Sequence, residues 1–250
     1  MKKIKVGIVN YLNTAPLIYG LKNSSVIDEI ELIPDYPANL AKDLLDGTID
    51  LGLVPVAVIP QLKQWWLMSD YCIGCEGPVA SVCIFSDVPI EQVERVLLDY
   101  QSRTSVELAK LLITEYWKLD VELIDASEDF QNEIKGTTAG LVIGDRSFTQ
   151  RKVSKYAYDL GEAWKSFTGL PFVFAAWISN KPLDAEFIKA FNSANAYGVD
   201  NISSVIASLN FNSAVNLEEY FKKYISYHLD DPKRNALRKF LQHLKKDIIV

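Results

Sequence analysis

Two short runs in this 250-residue chain combine residue types and spacing that could grip an anion: Asn10-Tyr11-Leu12-Asn13-Thr14-Ala15-Pro16 and Ser102-Arg103-Thr104-Ser105. In the first, Asn13 or Thr14 can cap a helix that Pro16 opens. The free N–H groups and positive dipole end of such a helix favour a carboxylate, although ordinary capping also accounts for the pattern. In the second, hydroxyls and a guanidinium gather at another helix start. Capping explains one hydroxyl there but not three beside an arginine, so this is the stronger anion site. Two carboxylates are placed for general acid or base work, Glu76 before Gly77-Pro78 and Asp145 just after Gly144, and each would equally suit a solvated turn. The glycine-proline turn Thr168-Gly169-Leu170-Pro171-Phe172 leads into an apolar run and could close over an apolar ring.

Other chemistries lack their residues. Neither histidine, His228 or His243, is spaced as a partner for a serine nucleophile, and there is no phosphate-cradling loop or dinucleotide fingerprint. Cys72, Cys75 and Cys83 lie close together, but a tetrahedral zinc needs four ligands and the histidines are far away. Buried reduced thiols on neighbouring strands are expected, with no metal and no cofactor. A formal charge of -6 argues against nucleic acid, which needs a basic face. The basic stretch from Lys233 to Lys246 alternates with Leu237, Phe240, Leu241 and Leu244 and reads as an amphipathic helix. Trp65-Trp66 reads as a partly buried helix-end pair. The apolar residues after Lys5 are interrupted at Gly7 and Asn10, which fails as a secretion signal, and no run nears the roughly 20 apolar residues of a membrane span. Cytoplasmic residence is the expectation, and the oligomeric state is left open.

The elements that must position these groups alternate along the chain. Lys3 to Val9, Glu29 to Ile33 and Asp50 to Val54 read as strands, with a helix marked by Leu40, Ala41, Leu44 and Leu45 ending at Gly47. That alternation predicts parallel pairing through crossovers. Val79 to Phe85, Arg95 to Leu98, Val121 to Ile124, Ala139 to Ile143, Tyr156 to Leu160 and Phe172 to Ser179 read as further strands, and the rest of the chain to Val250 as helical. No long linker separates the halves. Two ordered crossings are therefore expected, with one lobe formed by residues 1–81 and 177–250 and the other by 82–176, a double-strand hinge between them and a ligand cleft at the strand ends.

Five motifs in register, Val9 to Leu17, Glu76 to Val82, Ser102 to Ser105, Ile143-Gly144-Asp145 and the run from Asp159 to Trp177, resemble the chorismate dehydratase family of the futalosine route to menaquinone. The resemblance implies an α/β periplasmic-binding-protein-like fold of type II, and a hydro-lyase that converts the dicarboxylate chorismate to 3-[(1-carboxyvinyl)oxy]benzoate. It assigns catalysis to Asn13 and Ser81. Substrate binding falls to Tyr11, Thr14, Ser102, Arg103, Thr104, Ser105, Gly144, Asp145, Thr168, Gly169, Leu170, Pro171 and Phe172. The proton acceptor is either the enolpyruvyl carboxylate of the substrate or one of Asp145 and Glu76. Two rivals share the fold class: an enzyme like 1,4-dihydroxy-6-naphthoate synthase, whose relatives use a cleft histidine, and a non-catalytic small-anion-binding protein.

Overall fold

A computed structural model describes residues 3–209 and 215–246. The strands are β1 (Ile4–Val9), β2 (Ile30–Asp35), β3 (Leu51–Pro55), β4 (Trp66–Cys75), β5 (Val82–Ser86), β6 (Arg95–Leu98), β7 (Glu122–Asp125), β8 (Thr138–Ile143), β9 (Tyr156–Asp159), β10 (Phe172–Ser179) and β11 (Ser226–His228). The α-helices are α1 (Ala15–Lys22), α2 (Pro37–Asp46), α3 (Arg103–Leu111), α4 (Arg146–Gln150), α5 (Leu160–Thr168), α6 (Ala185–Asp200), α7 (Ile202–Ser208), α8 (Leu217–Glu219) and α9 (Asp231–Lys246).

They build two sheets, one ordered β11-β4-β10-β3-β1-β2 and the other β7-β6-β8-β5-β9. Every residue of β3 and of β8 is buried, as expected of strands covered on both faces. On the first sheet, α1 and α6 cross at Gly20 and Gly198, where backbone meets backbone: a Cβ at Gly198 would lie 1.8 Å from the Pro16 carbonyl oxygen. Only hydrogen fits there.

Parallel pairing holds for β1 with β2 and β3, and for β6 with β7 and β8. β10 runs antiparallel to β3 and β4, and β5 antiparallel to β8 and β9, so both sheets are mixed. The chain leaves the first sheet after Cys75 and returns to it at Phe172, and a strand that re-enters from the far lobe has no obligation to run with its neighbours. The boundary expected at 176/177 falls inside β10, which pairs wholly within the first sheet. The crossings are the segment 76–81 and the stretch containing α5 and the turn before β10.

Trp66 opens β4 rather than ending a helix, and Trp65 is exposed. Cys72 and Cys75 lie on that same strand while Cys83 is on β5 of the other sheet; all three are buried free thiols. The stretch after Ser179 is not wholly helical, because Ser226–His228 adds a strand to the edge of the first sheet, antiparallel to β4. Residues 247–250 of the expected terminal helix lie outside the described residues.

Candidate active site

Each lobe delivers one helix start to a shared cavity. From the first lobe come Tyr11, Asn13 and Thr14, from the second Ser102, Ser105 and Gly144, and from the crossing between them Ser81. The remaining wall is apolar, including Leu53, Ile73, Val82, Ile143 and Phe174. No carboxylate, histidine, lysine or arginine is among the described lining residues.

Asn13 precedes α1 but does not cap it, and its amide oxygen is buried with no hydrogen-bond partner. Such an atom costs about 1–3 kcal/mol unless something pairs with it. Because an amide offers both an acceptor and donors, this one can turn either end to a ligand. Thr14 does not cap either: its hydroxyl donates to the carbonyls of Val9 and Tyr11, at 2.6 and 2.7 Å, and so clamps the loop between β1 and α1. Ser102 behaves as a cap, its Oγ accepting from the Ser105 N–H at 3.2 Å and lying 3.0 Å from the Ser105 Oγ.

Ser81 sits just past a strained corner. Ala80 has φ +63°, a left-handed conformation that costs a residue with a Cβ about 1–2 kcal/mol. Asp159 holds the corner by accepting from the N–H groups of Val79 and Ala80 while also capping α5 through Gly161 and Glu162. The Arg151 guanidinium donates to the Ala80 carbonyl oxygen. The strand expected from Val79 therefore begins at Val82. Two buried phenols back the site from the C-terminal segment: Tyr220 donates to Ser81 Oγ and Tyr227 to the Asn13 carbonyl oxygen, each at 2.9 Å.

Contacts between the lobes flank the cavity. The Leu12 N–H donates to both carboxylate oxygens of Asp145, at 3.2 and 3.3 Å. The Tyr11 hydroxyl donates to Gln101 Oε1, which also accepts from Arg146; that guanidinium is paired with the buried Asp99 at 2.7 Å. The Ala57 N–H donates to Thr104 Oγ1 at 3.1 Å, and Arg103 donates to Gln61 at 3.1 Å. Gly144, at φ +64°, lets the Tyr11 ring approach to where a Cβ would stand 3.3 Å away. Burial pushes the Tyr11 hydroxyl above its ordinary value, against the pull of Arg146, and pushes the Asp145 carboxyl up against the Leu12 hydrogen bond.

The sequence-predicted residues thus divide. Tyr11, Asn13, Thr14, Ser81, Ser102, Ser105 and Gly144 meet at one cavity. Thr104 and Asp145 spend their oxygens on the opposite lobe, and Arg103 faces an outer groove with Gln61. Thr168 to Phe172 lie outside the lining: Gly169 terminates α5, and Phe172 packs edge-on against Trp164 in the core. Glu76 also lies outside it, ion-paired with the buried Lys233. His228 packs against Tyr71, and neither histidine lines the cavity.

The sequence profile of the menaquinone biosynthesis family matches residues 4–246. The chain belongs to that family. Among curated relatives it is 26% identical to a chorismate dehydratase of Thermus thermophilus, over 98% of this chain and 96% of the relative. It is 25% identical to the chorismate dehydratase of Campylobacter jejuni, with 96% of each covered. Among solved structures, a protein of Archaeoglobus fulgidus superposes with a TM-score of 0.77 at 15% identity, covering 99% and 98% of the two chains. A Candida albicans gene product described as having the generic periplasmic binding protein fold gives 0.63 at 13% identity, covering 98% of this chain and 91% of its own. These likenesses establish the fold as periplasmic-binding-protein-like, in agreement with the two mixed sheets and the cavity between them.

Within this family member, sequence reasoning missed Tyr220, Tyr227, Asp159 as a corner anchor, and the Asp99–Arg146–Gln101 network under Tyr11. Asp159-Leu160-Gly161 did carry a signal, an aspartate two residues before a glycine at a helix start. The tyrosines carried none.

Proposed function

We propose that this protein is a chorismate dehydratase, a cytoplasmic hydro-lyase that eliminates water from chorismate to give 3-[(1-carboxyvinyl)oxy]benzoate for menaquinone by the futalosine route. The observation that carries the reading is the unpartnered amide oxygen of Asn13, a residue lining a cavity whose described walls hold neutral donors and no protein base. The curated relatives bear the same activity in their names.

Elimination takes a proton from C3 and hydroxide from C4, and the ring becomes aromatic. A product that stable relieves the protein of supplying a strong base. What remains is to fix the ring, stabilise developing charge and assist the departing hydroxyl. In this reading Asn13 and Ser81 hold the enolpyruvyl carboxylate against the C3 proton, so the substrate supplies the base. Ser105, at the start of α3 and oriented by Ser102, faces the rest of the dianion, Thr14 clamps the loop that carries Asn13, and apposition of the lobes excludes water.

Admission of the ring requires the lobes to part. The cavity is about 50 Å³, whereas a benzene-sized guest occupies a cavity of roughly 150 Å³. The contacts of Leu12, Tyr11 and Ala57 with the opposite lobe are those that opening breaks and that closure on the bound ring restores.

The test is direct. Pure protein mixed with chorismate should develop the absorbance of the aromatic product, and Asn13→Ala or Ser81→Ala should each lower turnover by about 10- to 1,000-fold, the range for removal of a positioning or charge-stabilising donor. Binding without conversion would support a solute-binding role instead. Undiminished turnover in both variants would remove the assignment of Asn13 and Ser81.

A further inference from the structure

We infer that Tyr220 is a positioning residue for Ser81, its buried phenol fixing the serine hydroxyl as a donor aimed into the cavity. The inference rests on the reading above, in which Ser81 holds the substrate.

Tyr220 is 1% exposed, and its hydroxyl lies 2.9 Å from the fully buried Ser81 Oγ, across 139 residues of sequence. Two hydroxyls at that distance can share their proton either way. The surroundings decide the direction. Ser81 is the phenol's one hydrogen-bond partner among the described residues, and a phenol that accepted from Ser81 would leave its own O–H buried and unpaired. Tyr220 must therefore donate. Ser81 then accepts along one lone pair and keeps its hydrogen for something else.

Among the described residues that hydrogen can reach only the Val79 carbonyl, at a long 3.4 Å. A carboxylate in the cavity is the better acceptor. Burial also pushes the Tyr220 hydroxyl above its ordinary value, so it stays protonated over the working pH range and cannot reverse the polarity. The ring itself is held edge-on to Phe148, with centroids 5.0 Å apart, in the widened helical turn Tyr220–Tyr224. The phenol is thus anchored by packing that does not depend on its oxygen.

Tyr220→Phe isolates the oxygen. Turnover should fall about tenfold, one hydrogen bond's worth of transition-state stabilisation, with KM moved less than about threefold. The discriminating measurement is the double variant. If Tyr220 acts through Ser81, Ser81→Ala/Tyr220→Phe should be no slower than Ser81→Ala alone. A merely structural role would multiply the two losses. Multiplied losses, or Tyr220→Phe turnover equal to wild type, would overturn the inference.

A crystal structure of Tyr220→Phe reads the same point without turnover: Ser81 Oγ should rotate toward the Val79 carbonyl, and an unmoved Oγ counts against it. Wild-type protein that leaves chorismate unchanged sinks the proposed function instead, and the rotamer of Ser81 then decides this inference by itself.

Discussion

Asp145 separates two accounts of the reaction, because a carboxylate that straps the lobes and one that removes a proton fail differently when changed. Its oxygens accept from the Leu12 N–H across the lobe boundary and it is not among the cavity-lining residues, so we expect a strap. A hydrogen bond to a charged group contributes about 1.5–3 kcal/mol. Asp145 is only half-buried, which puts it at the lower end, about 1.5 kcal/mol. At 1.4 kcal/mol per decade that is roughly a tenfold shift away from the apposed lobes. Asp145→Ala should therefore raise KM by up to about tenfold with kcat within about threefold. Asp145→Asn keeps an acceptor oxygen and should raise KM only about two- to fivefold, since a neutral hydrogen bond contributes about 1 kcal/mol. A general base would give the opposite pattern, a loss of about 100- to 10,000-fold in kcat with Asn as harmful as Ala. Steady-state release of the aromatic product, fitted for kcat and KM in each variant, makes the distinction. A hundredfold fall in kcat at unchanged KM in Asp145→Asn would refute the strap. Glu76→Gln is the companion control and should leave kcat within about threefold, its carboxylate being engaged with Lys233 and Ser226.

The same carboxyl should show in stability against pH. Burial raises its pKa, so the folded protein holds that proton more tightly than the unfolded chain. The resulting stability is complete below the unfolded value of about 3.9 and is lost as pH rises through the raised folded value. Urea midpoints of Asp145→Asn minus wild type should climb across that window and then level off; a flat difference would contradict the raised pKa. Burial pushes the Cys72 thiol up to about 12 and raises Cys75 and Cys83 as well, so a thiol-reactive disulfide reagent at pH 8 should label none of the three until the protein unfolds. Gly198→Ala drives a Cβ into the Pro16 carbonyl and should cost about 3 kcal/mol, lowering Tm by roughly 6–12 °C in a thermal scan.

Much of the cavity lining was legible because it sits where elements meet. β6 and β10 begin and end where periodicity placed them, and Asn13, Ser102 and Gly144 follow from strand ends and helix starts. β4 was not legible, because Ser69, Asp70 and Gly74 interrupt its alternation and only pairing with β10 and β11 fixes it as a strand. Antiparallel insertion of β10 is a property of the route through the second lobe, which local pattern does not encode. Arg103, at the first turn of α3, was free on sequence grounds to face the cavity; Gln61, 42 residues away, draws it outward. Tyr220 and Tyr227 lie 139 and 214 residues from the groups they touch, in a stretch that reads as plain amphipathic helix.

The neutrality of the cavity bears on the proposed chemistry. A binding protein for a dianion gains by placing a guanidinium against each carboxylate. Here no guanidinium is among the described lining residues; Arg146 is paired with Asp99 and connects to the cavity through Gln101 and the Tyr11 hydroxyl. A cation beside the enolpyruvyl carboxylate would favour its charged form and lower its pKa, weakening it as a base for C3. Amide and hydroxyl donors and helix starts orient the anion at a smaller cost in basicity, and removal of water strengthens those contacts. Tight holding and a competent substrate base pull in opposite directions. The residues around Asn13 and Ser81 favour the second, which is the choice a catalyst of substrate-assisted elimination has to make.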